Sequence, residues 1–206
     1  MKRIKLNFIN KSNDANNSDI VLFQKNTAQG QDDLCVAWKV IQNCGKGDNH
    51  PFTFPQQLTV NATDSYGNQT AELNAKQGNA FSMRKTVTGD ELIPYGKAKV
   101  ATEFEVTNNL PMGSITINCY RNGKLMGTSL NLVPQQLAAF QFRPVIFIGV
   151  VQNIAEGEIM NAAVLSEIYT EISLIGIASA DIVMTGGGVG PQATPFYFTL
   201  ENITFA

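Results

Sequence analysis

The sequence predicts an all-β protein, an antiparallel β-sandwich of roughly 12 to 14 short strands, with one short helix near residues 157–165 left open. Three observations carry this prediction. Apolar and polar residues alternate over short runs, turn formers recur about every 8 to 12 residues, and no strand–helix–strand alternation is found. We expect a single domain over residues 1–206, with a split into two β subdomains near residues 88–97 as the alternative.

Short alternating or apolar runs predict the strands of the first half. These are Ile4–Ile9, Ile20–Gln24, Leu34–Ile41, Gln57–Thr63, Gln69–Ala75, Ala80–Thr86 and Val100–Val106. Gly/Pro-containing segments at residues 43–55 and 88–97 predict loops, since proline removes a backbone donor. Val100–Val106 alternates most clearly, and its pattern places Glu103 and Glu105 on the solvent-facing side.

The second half contains the strongest turn signal of the chain. Asn122-Gly123 between two strand-like runs predicts a two-residue hairpin turn. Further strands are predicted at Ser114–Tyr120, Leu125–Leu132, Leu137–Phe142, Val145–Val151, Ile168–Ala178, Asp181–Thr185 and Phe196–Thr204. Val145–Val151 is apolar on both faces and should occupy the centre of a sheet. Residues 158–170 fit either a helix or a strand.

The charge pattern divides the chain at Arg143. Residues 1–143 carry all 15 Lys and Arg and 11 of the 17 Asp and Glu, a net of +4, whereas residues 144–206 carry the other six acids and no base, a net of −6. The total of −2 gives no electrostatic footprint for nucleic acid, which we therefore exclude as a partner. The basic and acidic parts could attract each other between copies, so a homo-oligomer is an open alternative.

Targeting signals are not found. The start, MKRIKLNFINKSND, lacks the apolar run of a secretory signal, and no stretch approaches the length of a transmembrane helix. We expect a cytoplasmic protein, with release by a route that leaves no signal as the alternative. Asparagine makes up about a tenth of the chain, which suits short turns rather than disorder.

Catalytic and metal-binding constellations are weak. His50 is the only histidine, so a hydrolase of triad type has one candidate base. Cys35, Cys44, Asp48 and His50 lie within sixteen residues, but their spacing matches no zinc pattern. Candidate calcium pairs are Asp14 with Asp19 and Asp32 with Asp33, and candidate paired carboxylates are Glu103 with Glu105 and Glu167 with Glu171. We predict no enzyme, no metal and no cofactor.

Two cysteines and one glycine run leave alternatives open. Cys35 and Cys44 could form a disulfide, although three cysteines without a CxxC pair favour free thiols. Residues Gly186–Gly190 follow an apolar strand, but no helix and no lysine follow them, so a phosphate loop is not predicted. Three interpretations remain: a wide turn, a site of close backbone approach, or a mobile binding loop.

Aromatic residues with polar neighbours in three predicted loops give the candidate ligand-binding set. The set is His50, Phe52, Asp64, Tyr66, Asn68 and Tyr95. Rings can stack on a sugar face, and neighbouring amides and carboxylates can hydrogen-bond to hydroxyls or lipid headgroups.

The sequence therefore predicts a non-enzymatic binding protein, lectin-like in texture, that recognises a glycan or a membrane surface through its loops. Two alternatives are kept. The first is a self-assembling structural or inclusion-type protein, suggested by the charge division. The second is a pore-forming protein, suggested by the Ile, Gly, Ala and Ser of Ile168–Thr185, which could form a membrane-inserting hairpin.

Overall fold

The computed structural model describes residues 3–28, 34–167 and 170–206 and confirms the all-β class, with 58% strand and 3% helix. Its strands form four mostly antiparallel sheets. The described residues contain 18 strands, more than the predicted number. Two of the pairings between described strands are parallel: Arg3–Asn10 with Ile177–Gly187, and Asn79–Lys85 with Phe104–Asn108.

The strand bounds in chain order are β1 Arg3–Asn10, β2 Asp19–Phe23, β3 Cys35–Val36, β4 Lys39–Ile41, β5 Asn49–Pro55, β6 Leu58–Thr63, β7 Leu73–Ala75, β8 Asn79–Lys85 and β9 Asp90–Lys97. They continue with β10 Phe104–Asn108, β11 Ile115–Arg121, β12 Lys124–Leu132, β13 Leu137–Phe140, β14 Val145–Val151, β15 Ile159–Met160, β16 Thr170–Ser173, β17 Ile177–Gly187 and β18 Thr194–Phe205. The helix α1 spans Ala162–Glu167, and a short 3-10 helix spans Gly190–Gln192.

The chain divides into two compact units. Unit 1 comprises Met1–Gln24, Ala37–Gln56 and Pro144–Ala206, and unit 2 comprises Lys25–Val36 and Gln57–Arg143. Residues 88–97, the predicted place of a split, lie inside unit 2. Whether the two units unfold together as a single domain stays a prediction.

Unit 1 contains two four-stranded sheets, in the orders β18-β17-β1-β5 and β16-β14-β2-β4. Alternate residues of β1 (Ile4, Leu6, Phe8) are buried, as are Ile146 and Ile148 of β14. The predicted central position of Val145–Val151 is confirmed, because β14 lies between β16 and β2. Phe23 and Phe147 stack with ring centroids 5.3 Å apart.

Unit 2 contains the sheet β13-β10-β8-β9 and contributes β3-β12-β11-β6-β7 to a second sheet. The predicted hairpin is confirmed: β11 and β12 are joined at Asn122 and Gly123, whose φ values are 55° and 71°. Positive φ at both positions is what the tight hairpin turn requires. Phe104 and Phe140 stack at 5.1 Å in the core of this unit.

Two predicted loops are wrong because proline is tolerated at sheet edges. Residues 49–55 form β5 and residues 90–97 form β9, and each is the last strand of its sheet. An edge strand leaves one row of backbone groups unpaired, so the missing N–H of Pro51 or Pro94 costs little there. A register shift opposite Pro94 accommodates its ring.

Three predicted strands are interrupted. Leu34–Ile41 divides into β3 in unit 2 and β4 in unit 1, with Ala37 and Trp38 buried between them. Gln69–Ala75 is reduced to β7, at Leu73–Ala75. The predicted strand Ile168–Ala178 contains a turn at residues 174–176, and its first two residues lie outside the described residues.

The predicted exposure of Glu103 and Glu105 is wrong. Both side chains are buried, at 7% and 5% exposure, whereas Val100 is exposed. The strand β10 begins at Phe104 and a turn precedes it, so the alternation does not continue back to Val100. The Glu105 Oε1 accepts hydrogen bonds from the backbone N–H groups of Lys99 (2.8 Å) and Val100 (3.4 Å).

The short helix left open near residues 157–165 is present as α1 at Ala162–Glu167. Asn161 caps it, because its Oδ1 accepts the backbone N–H of Val164 at 3.0 Å.

Candidate binding surface

Four turns of unit 2 lie at one end of its strands, and we call them the turn end. They are the β6–β7, β8–β9, β10–β11 and β12–β13 connections, at residues 64–68, 86–89, 109–114 and 133–136. The strand directions require this arrangement. β8 runs parallel to β10, β13 runs antiparallel to β10, and β11 runs antiparallel to both β6 and β12. Hydrogen bonds from Asn108 connect the two sheets at this end.

Asn108 holds three parts of the turn end in place. Its side chain is fully buried, and its Nδ2 donates to the carbonyl oxygens of Gly113 (3.0 Å) and Leu132 (2.8 Å). Its Oδ1 accepts the N–H of Leu110 at 3.0 Å, and its backbone C=O accepts the N–H of Gln135 at 2.7 Å. Buried amides with every group paired fix local geometry strongly. The turns are therefore held on a rigid support.

Each turn presents one large apolar side chain to solvent. The exposed fractions are 87% for Tyr66, 104% for Val87, 78% for Met112 and 44% for Val133. Single exposed apolar residues are common on protein surfaces. Four of them on adjacent turns at one end of a unit form a concentrated apolar set instead.

The β6–β7 turn contains three of the predicted site residues. Asp64 Oδ1 accepts the N–H groups of Tyr66 (2.9 Å) and Asn68 (2.8 Å), and Oδ2 accepts the Asn68 Nδ2 at 2.9 Å. The hydrogen bond from the Asn68 side chain, followed by those from the turn backbone, lowers the pKa of Asp64. Asp64 and Asn68 therefore fold the turn, and Tyr66 is the member of the three that projects outwards.

The other turns also satisfy their own backbone groups. In the β8–β9 turn the Thr86 N–H donates to the Gly89 C=O at 2.7 Å, and the Thr88 hydroxyl donates to Glu91. In the β12–β13 turn the Gln136 N–H donates to the Val133 C=O at 3.1 Å. A turn that pairs its own polar groups can leave bulk water at low cost.

Charges near the turn end oppose one another. Lys85 and Asp90 are direct cross-strand partners in β8 and β9, and so are Arg84 and Glu91. Asp64 adds one further negative charge in the neighbouring sheet. The turn end therefore has no strong field of one sign, and any attraction it exerts is mainly apolar.

The remaining predicted site residues lie elsewhere. His50 and Phe52 are in β5 of unit 1, opposite the buried Phe8 and Leu6 of β1. The Phe52 ring is half-buried and lies 6.4 Å from the Trp38 ring in an edge-on arrangement. These two residues therefore belong to strand packing rather than to the loop that the sequence predicted.

Tyr95 also lies on a strand, the edge strand β9 of unit 2. It is more than half exposed, and the Arg84 guanidinium stacks over its ring at 4.2 Å. This stacking occupies one face of the ring, which leaves at most the other face for a sugar. The structure thus groups Asp64, Tyr66 and Asn68 in one turn and places His50, Phe52 and Tyr95 apart from them.

The metal and disulfide alternatives find no support in the geometry of the described residues. Over residues 3–28, 34–167 and 170–206, no three His, Cys, Asp or Glu side chains come close enough to hold a metal ion. Asp14 uses its carboxylate to accept N–H groups of its own loop, at Asn16 and Ser18. Asp32 and Asp33 lie outside the described residues. Cys35, Cys44 and Cys119 are free thiols.

The glycine run Gly186–Gly190 marks a close backbone approach. A Cβ atom on Gly186 would lie 2.0 Å from the Pro195 carbonyl oxygen, and one on Gly187 would lie 2.6 Å from the Phe196 ring. Their φ values of 88° and 80° also favour glycine. Glycine is needed at residues 186 and 187, where β17 lies close to the start of β18, whereas Gly190 has open space around an added Cβ. The geometry therefore supports close approach as the role of the first two glycines.

Sequence reasoning missed Val87, Met112 and Asn108. An apolar residue inside a turn of Thr, Gly or Pro, as in Thr86–Gly89 and Pro111–Gly113, was the available signal for the first two. Nothing in the sequence distinguishes Asn108 from the other asparagines.

No family model matches the chain, and no curated protein or solved structure matches it. Within the described residues, no helix has the length and apolar character needed to cross a bilayer.

Proposed function

We propose that the protein is a non-enzymatic binding protein that attaches to a lipid surface through the turn end of unit 2. The observation that carries this proposal is the presence of one exposed apolar side chain on each of four adjacent turns, held on the buried Asn108. A bilayer surface suits such a set, because it deforms around separate tips and requires no matching shape.

The expected affinity is weak and reversible. Burying a Val, Met or Tyr side chain contributes about 1.5 to 3 kcal/mol when burial is complete, and less at a headgroup interface. The three most exposed side chains, Tyr66, Val87 and Met112, together contribute about 4 kcal/mol to binding. This is of the same order as the marginal membrane binding of one myristoyl chain. Because the nearby charges oppose one another, zwitterionic lipid is the expected partner.

Co-sedimentation with phosphatidylcholine vesicles tests the proposal. We expect partitioning into the vesicle pellet that changes less than about twofold between roughly 0.05 and 0.5 M salt. The triple variant Tyr66→Ser, Val87→Ser and Met112→Ser should lose about a hundredfold or more in partition coefficient. A matched control is Val100→Ser, an exposed apolar residue of the same unit that precedes β10 rather than following it.

Three results would overturn the proposal. The first is absence of the wild-type protein from the vesicle pellet at millimolar lipid. The second is equal partitioning of the wild type and the folded triple variant. Binding restricted to anionic vesicles and lost in salt would also contradict it, because it would indicate attraction by charge.

The self-assembly alternative stays a prediction, and its motivation is weaker than the sequence suggested. The acidic last third belongs to unit 1 together with residues 1–24 and 37–56, which supply six Lys and Arg. Lys11 Nζ and Glu201 Oε2 are 3.2 Å apart, so one opposite-charge pair meets inside the unit.

The pore-forming alternative also stays a prediction. Most of β17 belongs to the segment suggested as a membrane-inserting hairpin, and this strand is already paired with β1 and β18.

A further inference from the structure

A second surface, in unit 1, has the chemistry of a small-molecule site. One face of the sheet β18-β17-β1-β5 carries a groove of about 550 Å³ that crosses all four strands. This volume is in the range usual for ligand pockets, about 300 to 1,000 Å³. The groove belongs entirely to unit 1, so it is independent of the turn end of unit 2.

Strand register brings the polar side chains of the groove together. Lys5 lies opposite Thr53 on one side and Ser179 on the other, and Asn7 lies opposite Asp181. Residues directly opposite in neighbouring strands share a face, with Cβ atoms about 5 Å apart. The polar side chains therefore share one face of the sheet, on which Pro51, the direct partner of Asn7 in β5, adds an apolar surface.

The Asp181 carboxylate is the centre of this surface. Its Oδ1 accepts the Asn7 Nδ2 at 3.3 Å, and its Oδ2 accepts the Asn202 Nδ2 at 2.6 Å. A carboxylate offers about four lone-pair sites, and each amide nitrogen carries two N–H donors. Acceptors and donors consequently alternate along the groove, in positions fixed by hydrogen bonds between strands.

We infer that this groove binds a neutral saccharide through Asp181, Asn7 and Asn202. A hydroxyl group both donates and accepts, so adjacent hydroxyls can each bridge the carboxylate and a neighbouring amide. Lys5 and Asp181 are the two charged residues that line the groove, so its lining has no net charge, which favours an uncharged ligand. The exposed Pro51, which also lines the groove, supplies an apolar surface for the C–H groups of a sugar ring.

Other ligand classes fit less well. An anion gains little from a groove in which one Lys and one Asp offset each other. An apolar ligand would cover the Asp181 carboxylate and the amides beside it without offering any hydrogen bond in place of those to water. A divalent cation needs several oxygen ligands, and the described part of the chain holds no group of three suitable acidic, His or Cys side chains.

Saturation-transfer NMR with a panel of free neutral hexoses and disaccharides, supported by a glycan array, tests the inference. We expect at least one neutral saccharide to bind. Asp181→Ala should weaken that binding by about tenfold or more, because it removes the charged acceptor. Thr53→Trp should block the groove while leaving the Asp181 hydrogen bonds intact.

Glu171→Gln is the matched control, since it removes an exposed carboxylate from the other sheet of the same unit. The inference is overturned if no neutral saccharide of the panel binds, or if folded Asp181→Ala and Thr53→Trp bind as the wild type does. Should Asp181→Ala fail to fold, Thr53→Trp alone decides. Vesicle binding is expected to be unchanged in both variants, so the two proposals fail separately.

Discussion

Replacing Gly186 by alanine tests the close approach of β17 to β18. The residue has a φ of 88°, and an added Cβ would lie 2.0 Å from the Pro195 oxygen and 3.0 Å from its carbonyl carbon. An ordinary contact of this kind needs more than 3 Å, so the backbone at Pro195 must move by about 1 Å. The N–H group of Asn13, which donates to the Gly186 C=O at 2.7 Å, would be displaced as well.

The expected cost follows from two contributions. The left-handed backbone of a non-glycine residue costs about 1 to 2 kcal/mol. Displacing the Asn13 hydrogen bond and crowding the Pro195 carbonyl group add about 1 kcal/mol each. Gly186→Ala should therefore lower the free energy of unfolding by about 3 to 4 kcal/mol. Gly190→Ala is the control, because Gly190 has a φ of 68° and no atom within 4 Å of an added Cβ, so it should cost about 1 to 2 kcal/mol.

Urea unfolding followed by tryptophan fluorescence measures this difference. Trp38 is the only tryptophan of the chain, it is buried, and it lies in unit 1 with both glycines. Equal losses of unfolding free energy in Gly186→Ala and Gly190→Ala would refute the reasoning, because the left-handed backbone alone would then account for both losses. If Gly186→Ala leaves the free energy of unfolding unchanged, the close approach itself is refuted.

Three further predictions concern single residues. Asn108→Ala should lower the free energy of unfolding, measured with urea, by about 3 kcal/mol, since it removes the side-chain hydrogen bonds to the Gly113 and Leu132 carbonyl groups and from the Leu110 N–H; a loss below about 1 kcal/mol would contradict its role. In a native thiol assay Cys44 should react slowly, because burial raises its pKa, and the buried Cys35 and Cys119 should react after denaturation; two or more rapidly reacting native thiols would be inconsistent. The lowered pKa of Asp64 means that its carboxylate stabilises the turn above the ordinary value of 3.8, and this contribution is lost as the pH falls through the lowered pKa; a carboxyl NMR titration giving an ordinary or raised pKa would refute it.

The sequence predicted elements well where the local pattern matched the local environment. Asn122-Gly123 specifies its hairpin through backbone preference alone, and Val145–Val151 is apolar because β14 is central. Pro51 and Pro94 misled the prediction, since their effect depends on whether a strand is at an edge. Edge position is set by tertiary pairing and cannot be read from neighbours in sequence.

The candidate surfaces were harder to predict for the same reason. Tyr66 was found because aromatic and polar residues adjoin it, but Val87 and Met112 acquire meaning when four turns meet at one end. The groove joins Asn7 to Asp181, which are 174 residues apart. Such a pair depends on the parallel register of β1 with β17, which no local pattern encodes.

The interleaved course of the chain has a consequence for biosynthesis. All segments of unit 2 precede residue 144, so this unit can fold while the remaining strands are still being synthesised. Unit 1 must wait, because β1 pairs with β17 and β2 pairs with β14. At about 5 to 20 residues per second, the β1 and β2 segments wait several seconds for β17 and β14, and only their other neighbours, β5 and β4, emerge earlier. During that interval the nascent chain exposes apolar segments that a ribosome-associated chaperone would be expected to cover.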